Sequence, residues 1–262
     1  VSERVSEPVS EPVSEGRRGG VRHVEHVMGT VFSFDIRDPA TPAIGRALKE
    51  AVAWLHHVDE VFSPYRPDSA ISRLGRGELS VERCGPEVAE VLGLCEAAER
   101  ATDGWFSHTA GGRLDPSGMV KGWAVERASA ILYGAGAHNT CVNGGGDIQL
   151  RGEAAPGVPW RVGIAHPLLP GALCAVVTGR DLAVATSGTA ERGPHVLDPH
   201  TGEPATALAS LTLTGPGLTW TDALATAAFA MGPAARAWTE ALESHQAMGV
   251  TATGDLWQTP GF

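Results

Sequence analysis

Asp222 and Thr226 stand four residues apart in Thr221-Asp222-Ala223-Leu224-Ala225-Thr226-Ala227-Ala228. On a helix that spacing turns both side-chain oxygens to one side, and the small alanines leave room for something bulky to approach. A carboxylate and a hydroxyl make a hard-oxygen pair suited to a Mg²⁺ ion that keeps its other ligands for phosphate or water. A local alternative stands beside this reading: Asp222 caps the helix start and Thr226 bonds back to a carbonyl. A second segment, Leu114-Asp115-Pro116-Ser117-Gly118-Met119-Val120-Lys121-Gly122-Trp123, leads into another helix. Asp, Pro, Ser and Gly before a helix leave its first amide hydrogens pointing outward, where they suit a phosphate, and Lys121 adds a full charge. The GxxxxGK[ST] spacing is absent, and an ordinary cap with an exposed lysine fits the same residues.

Two further segments carry chemistry. Val142-Asn143-Gly144-Gly145-Gly146-Asp147-Ile148 places three glycines between strand-like pieces. Glycine weakens regular structure by about 0.5–1 kcal/mol per site, so packing is not expected to account for them. They permit a ligand to approach the backbone, or form a plain hairpin loop ending in aspartate. Ala185-Thr186-Ser187-Gly188-Thr189 can present backbone amides to an anion after a strand. His195 lies between that turn and Val196-Leu197, where a ring nitrogen can be aimed at a reacting hydroxyl; a structural or surface role is the plain alternative. No GxSxG elbow occurs, so a serine hydrolase of the α/β type is unsupported.

The elements that must position these residues follow from periodicity. Val24–Ile36 contains an alternating, β-branched stretch that predicts a strand. Ala43–Val61 has helical spacing, with Ile44, Leu48, Val52 and Leu55 on one face. Further helices are expected over Pro86–Ala101, Lys121–Tyr133, Thr221–Met231 and Ala234–Leu242. Strands are expected over Thr140–Val142, Ile148–Arg151, Trp160–Ile164, Ala175–Thr178, Ala183–Ala185 and Ser210–Thr214. Helices and strands are mixed without regular βαβ alternation, which predicts an α+β fold in one compact domain over 21–262. Residues 1–20 differ: Val-Ser-Glu recurs at Val1, Val5, Val9 and Val13 with Pro8 and Pro12 between, a solvated, disordered tail with nothing to pack.

Composition narrows the classes. Hydrophobic residues make up 43% of the 262, enough for a sizeable core. Twenty Lys plus Arg against thirty Asp plus Glu give a net charge of −10, which offers no general hold on nucleic acid or an anionic membrane. No apolar run reaches the ~18 residues of a membrane span. Cys84, Cys95, Cys141 and Cys174 have no metal-type spacing and read as structural thiols of a reducing compartment. With no basic-then-apolar leader or lipid-attachment cysteine in the sequence, a cytoplasmic location is expected.

Taken in order, Met28-Gly29-Thr30, Phe62–Leu74, Asp115–Gly122, Gly144–Asp147, Ala185–Gly188 with His195–Gly202, and Asp222–Thr226 resemble the ApbE family of FAD:protein FMN transferases. The resemblance covers nearly everything from Met28 to Gly232. It implies an enzyme that splits FAD at its diphosphate with Mg²⁺ and attaches FMN to a Thr or Ser hydroxyl of a target flavoprotein, releasing AMP. By the same resemblance Asp222 and Thr226 are metal ligands, completed by the Gly118 carbonyl. Tyr65 lies against the isoalloxazine ring, while Met28, Trp105, Phe106, Ser107, Asp115, Lys121 and the backbone near Leu197 contact other parts of FAD. His195 matches the histidine that takes the acceptor's proton. Water in the acceptor's place would make the site an FAD pyrophosphatase yielding FMN and AMP; a non-catalytic flavin-binding protein would not need Asp222, Thr226 and His195 together.

Departures from the pattern are local. Ser107-His108 stands where many relatives carry aspartate, and the stretch from Phe106 to Leu114 is short, removing a loop expected near the flavin. Gly75 replaces a common asparagine and Glu126 a usual aspartate.

Overall fold

Turn chemistry sets the first departure from expectation. Met28 and Gly29 both adopt left-handed backbone, with φ of 53° and 68°. The apolar stretch therefore folds back on itself as a hairpin, β1 (Val21–Val27) and β2 (Thr30–Ile36), instead of one strand. A two-residue turn with both φ positive matches the twist of the flanking strands. The computed structural model describes residues 19–190, 193 and 195–262. The expected tail lies outside the described residues except for Gly19 and Gly20.

The remaining strands are β3 (Thr140–Gly144), β4 (Asp147–Arg151), β5 (Trp160–Ala165), β6 (Leu173–Gly179), β7 (Ala183–Gly188), β8 (Leu208–Gly215), β9 (Gln246–Thr251) and β10 (Leu256–Gln258). The helices are α1 (Pro42–Phe62), α2 (Ala70–Gly75), α3 (Pro86–Ala101), α4 (Ser117–Gly134), α5 (Leu218–Met231) and α6 (Ala235–Glu240). Eight strands form one sheet in the order β1-β2-β3-β4-β7-β8-β9-β10, every neighbouring pair antiparallel. β5 and β6 form a separate antiparallel ribbon. The α+β expectation is borne out.

Two cores flank the sheet. Phe32, Phe34, Val142, Leu211 and Leu213 pack with α1, α3, α4 and α5 in the larger one. Ile148, Leu150, Val184 and Met248 meet Trp160, Val162 and Ile164 of the ribbon in the smaller. All eight residues of β8 are buried, as a central strand covered on both faces requires. α1 lies over α4 through aromatic contacts: Trp123 is 4.9 Å from Trp54 and 5.6 Å from Phe62, centroid to centroid, both edge-on. Such pairs add about 0.5–1.5 kcal/mol beyond the area they bury. Among the described residues no helix is long and apolar enough to cross a membrane. All four cysteines are free; burial pushes the Cys95 and Cys141 thiols up to about 12, so both remain protonated.

Besides α2 and β10, which are not among the expected elements, α4, α5 and β9 differ from expectation. α4 starts at Ser117, four residues early, because the Asp115 carboxylate accepts the Ser117 N–H at 3.1 Å and opens the first turn there. α5 starts at Leu218, three residues early, behind Gly217, which has no capping side chain. Its first amides are satisfied from afar: Gln149 accepts the Leu218 N–H at 3.0 Å and Glu126 the Thr219 N–H at 2.7 Å. The strand β9, absent from the expected elements, carries Gly249 directly opposite Trp257 of β10, and the indole fills the space a side chain would take.

Candidate active site

The N-terminal half of α4 and the first two turns of α5 meet in a close contact. A Cβ on Gly122 would lie 2.6 Å from the Leu218 carbonyl oxygen and 2.8 Å from Asp222 Cβ, so only glycine permits this approach. The contact lets the Gly122 N–H donate to the buried Asp222 carboxylate at 3.0 Å. That carboxylate competes with the Gly118 carbonyl, the ordinary α-helical partner of the Gly122 N–H. Asp222 does not cap α5, since it lies in the second turn; Thr226, one turn on, has its hydroxyl 3.5 Å from that of Ser187 on β7. Gly118 faces the same spot, where a Cβ would meet Thr226 at 3.6 Å and Phe106 at 3.3 Å. Gly122→Ala is expected to force the helices apart at a cost of about 1–3 kcal/mol, visible as a lower Tm in a thermal melt. An unchanged Tm would remove the constraint.

Above this contact opens a cavity of about 940 Å³. That is near the top of the ~300–1,000 Å³ usual for ligand sites and roomy enough for a dinucleotide. Asp222, Thr226, Gly118 and Lys121 line it from the two helices, and Asp115 from the residues just before α4. Met28 reaches it from the β1–β2 turn, Tyr65 from the segment after α1, and Trp105, Phe106 and Ser107 from the segment after α3. His195 and Leu197 line it from the segment between β7 and β8. Every sequence-predicted site residue therefore reaches one cavity. Tyr65 is 91% exposed at the cavity, whereas Phe106 is buried.

The segment bearing His195 is braced at both ends. The Ala205 N–H donates to the Val196 carbonyl, and Leu197 bridges Pro204. Within the turn, the His200 N–H donates to the Asp198 carboxylate at 2.8 Å and holds that carboxyl below its usual range. Trp105 packs against His200 with centroids 4.4 Å apart, and Gly111 lies under Leu197, so the short stretch after Phe106 closes directly on this segment. The His195 Nδ1 lies 3.0 Å from the Gly193 carbonyl. A carbonyl only accepts, so Nδ1 carries the hydrogen and the lone pair of the neutral ring sits on Nε2.

Gly144-Gly145-Gly146-Asp147 is the hairpin of the plain reading, but packing does account for part of it. Gly145 and Gly146 take φ of 58° and 93° in the two-residue turn. A Cβ on Gly144 would meet Phe32 at 2.6 Å and Val125 at 2.8 Å. Asp147, now the first residue of β4, forms an ion pair with Lys121. Sequence reasoning missed that pair, the Gly122 contact and the cavity wall from Val162 to Pro167; the glycine run before Asp147 was the available signal.

The sequence profile of the ApbE family matches residues 28–113 and 108–249. The chain belongs to the ApbE family. It is 33% identical over 129 residues to an FAD:protein FMN transferase of Vibrio cholerae, covering 45% of this chain and 39% of that protein. With an FAD:protein FMN transferase of Escherichia coli it is 30% identical over 162 residues, covering 57% and 46%. The matched stretches thus span less than half of these curated ApbE relatives. In structure, the Vibrio cholerae flavin transferase ApbE superimposes with a TM-score of 0.78 at 22% identity, over 96% of this chain and 99% of that one. The ApbE protein of Thermotoga maritima gives 0.77 at 21%, over 92% and 97%. The fold is that of the ApbE proteins.

Proposed function

We propose that this chain transfers FMN from FAD to a Thr or Ser hydroxyl of a target flavoprotein, with Mg²⁺, releasing AMP. The observation that carries this reading is the convergence of six separated segments on one cavity, with Asp222 buried in it and His195 on its exposed side. The relatives' names supply the activity; the cavity supplies residues suited to it.

The residues present fit the metal. Asp222, Thr226 and the Gly118 carbonyl are an all-oxygen set of the kind Mg²⁺ accepts while keeping waters. Among the described residues no group of three or more His, Cys, Asp or Glu forms a rival site. Charge points the same way. The charged lining is Asp59, Asp115 and Asp222 against Lys121. Three carboxylates against one ammonium make the lining acidic. An acidic cavity receives a diphosphate only with a cation. Bound there, Mg²⁺ would neutralise the diphosphate oxygens and stabilise the leaving phosphate.

The chain's own groups do the rest. Tyr65 and Trp105 offer aromatic surface to the flavin, and Lys121 offers an ammonium to the nucleotide. The acceptor oxygen attacks the phosphorus on the FMN side, the bond to the AMP phosphate breaks, and the acceptor's proton passes to His195 Nε2. Such a displacement needs alignment and charge neutralisation more than covalent help. Incubation with FAD, Mg²⁺ and a flavoprotein acceptor is expected to raise the acceptor's mass by one FMN unit. Free FMN and AMP without adduct would replace the transferase with a pyrophosphatase, and intact FAD would leave only a binding protein.

A further inference from the structure

We propose that Asp147 is a positioning residue that holds Lys121 in place for the nucleotide. This rests on the reading of Lys121 as a nucleotide contact. The Asp147 side chain is 1% exposed, and a buried carboxylate is strongly unfavourable unless it is paired and hydrogen-bonded. Both conditions are met by groups beside the cavity. One oxygen pairs with the Lys121 ammonium; the other accepts the Thr186 N–H at 2.9 Å. Thr186 itself lines the cavity and shares a 2.8 Å hydrogen bond with the Thr212 hydroxyl, so the acceptor side of Asp147 is anchored in the sheet.

Chain geometry explains why this residue does the work. The Gly145-Gly146 turn places Asp147 directly opposite Gly144, at the first position of β4. From there it reaches β7 on one side and α4 on the other. Lysine has a long flexible stem, and fixing it on ligand binding costs rotamer entropy. An ion pair formed in advance removes that cost from the binding step.

Asp147→Asn separates these jobs. It keeps an oxygen for the Thr186 N–H and removes the charge that holds Lys121. FAD affinity is read from the quenching of flavin fluorescence on binding to the full chain, with Mg²⁺ and without acceptor. We expect Kd to rise about tenfold in Asp147→Asn and similarly in Lys121→Met, while the double variant is no weaker than Lys121→Met alone. With acceptor present, KM for FAD should rise while kcat changes less than threefold. Should Asp147→Asn fail to fold, Asp147→Glu takes its place, with a weakening that likewise vanishes in the Lys121→Met background. Unchanged affinity in Asp147→Asn, or single effects that multiply in the double variant, would overturn the proposal and leave the transferase reading standing. Failure of the wild-type chain to bind FAD would overturn both.

Discussion

Asp222→Ala is expected to lower FMN transfer by on the order of 10³-fold or more. The carboxylate is the single negatively charged member of the proposed metal set, and metal ions supply several kcal/mol of charge stabilisation to phosphoryl transfer, with each 1.36 kcal/mol worth tenfold in rate. Its loss also removes one of the two acceptors of the Gly122 N–H in a packed helix contact. A hydrogen bond to a charged group contributes about 1.5–3 kcal/mol, so the alanine variant should also melt earlier. Asp222→Asn separates the two effects. The amide oxygen still accepts from Gly122, so Tm should stay near wild type while transfer remains low and cannot be restored by raising Mg²⁺ to ordinary saturating levels. Transfer at the wild-type rate in either variant would remove Asp222 from the metal site.

His195→Ala should lower transfer by about 10²–10⁴-fold, the range general-base catalysis contributes, with little effect on FAD affinity. The ring sits on an exposed segment and, among the described residues, its hydrogen bond is to the Gly193 carbonyl, so truncation strands no buried partner there. Tm should therefore hold. The Nδ1 contact with the Gly193 carbonyl leaves Nε2 as the nitrogen that can accept a proton, which makes His195→Gln a useful companion: glutamine offers hydrogen bonds of similar reach but cannot take up the proton at neutral pH. Transfer should be as slow in His195→Gln as in His195→Ala. Recovery in the glutamine variant would turn the histidine from a base into a positioning group.

Some candidate residues could be singled out by type within a short stretch (a carboxylate and hydroxyl one helical turn apart, a lysine near a helix start, a histidine beside a glycine turn), whereas Met28, Tyr65 and Trp105–Ser107 entered only through the family resemblance. Elements with strong periodicity were legible for the same reason, and Pro86–Ala101 lies where its proline and apolar stripe put it. What stayed hidden depends on partners distant in sequence. Lys121 and Asp147 lie 26 positions apart, and neither local motif points to the other. Gly122 reads as an unremarkable helix residue until Leu218 and Asp222 arrive from a hundred positions away. The start of α5 is invisible because Gln149 and Glu126 cap it from other elements, where sequence rules look for a neighbour. Glu126, a departure from the usual aspartate, accounts for its own extra length by reaching that amide. The Met28-Gly29 turn was hidden by methionine, which seldom takes a positive φ.

The close contact between α4 and α5 bears on how this architecture can be re-engineered. Side chains around the cavity are separate parts, replaceable one at a time for a different guest. The spacing of the two helices is set where Gly122 meets the Leu218 carbonyl and the Asp222 Cβ, and no choice of rotamer can adjust it. A designer wishing to transplant the site would have to move both helices together as one block, with the long-range caps that fix where the second begins. Copying the functional side chains onto another scaffold would leave that spacing to chance.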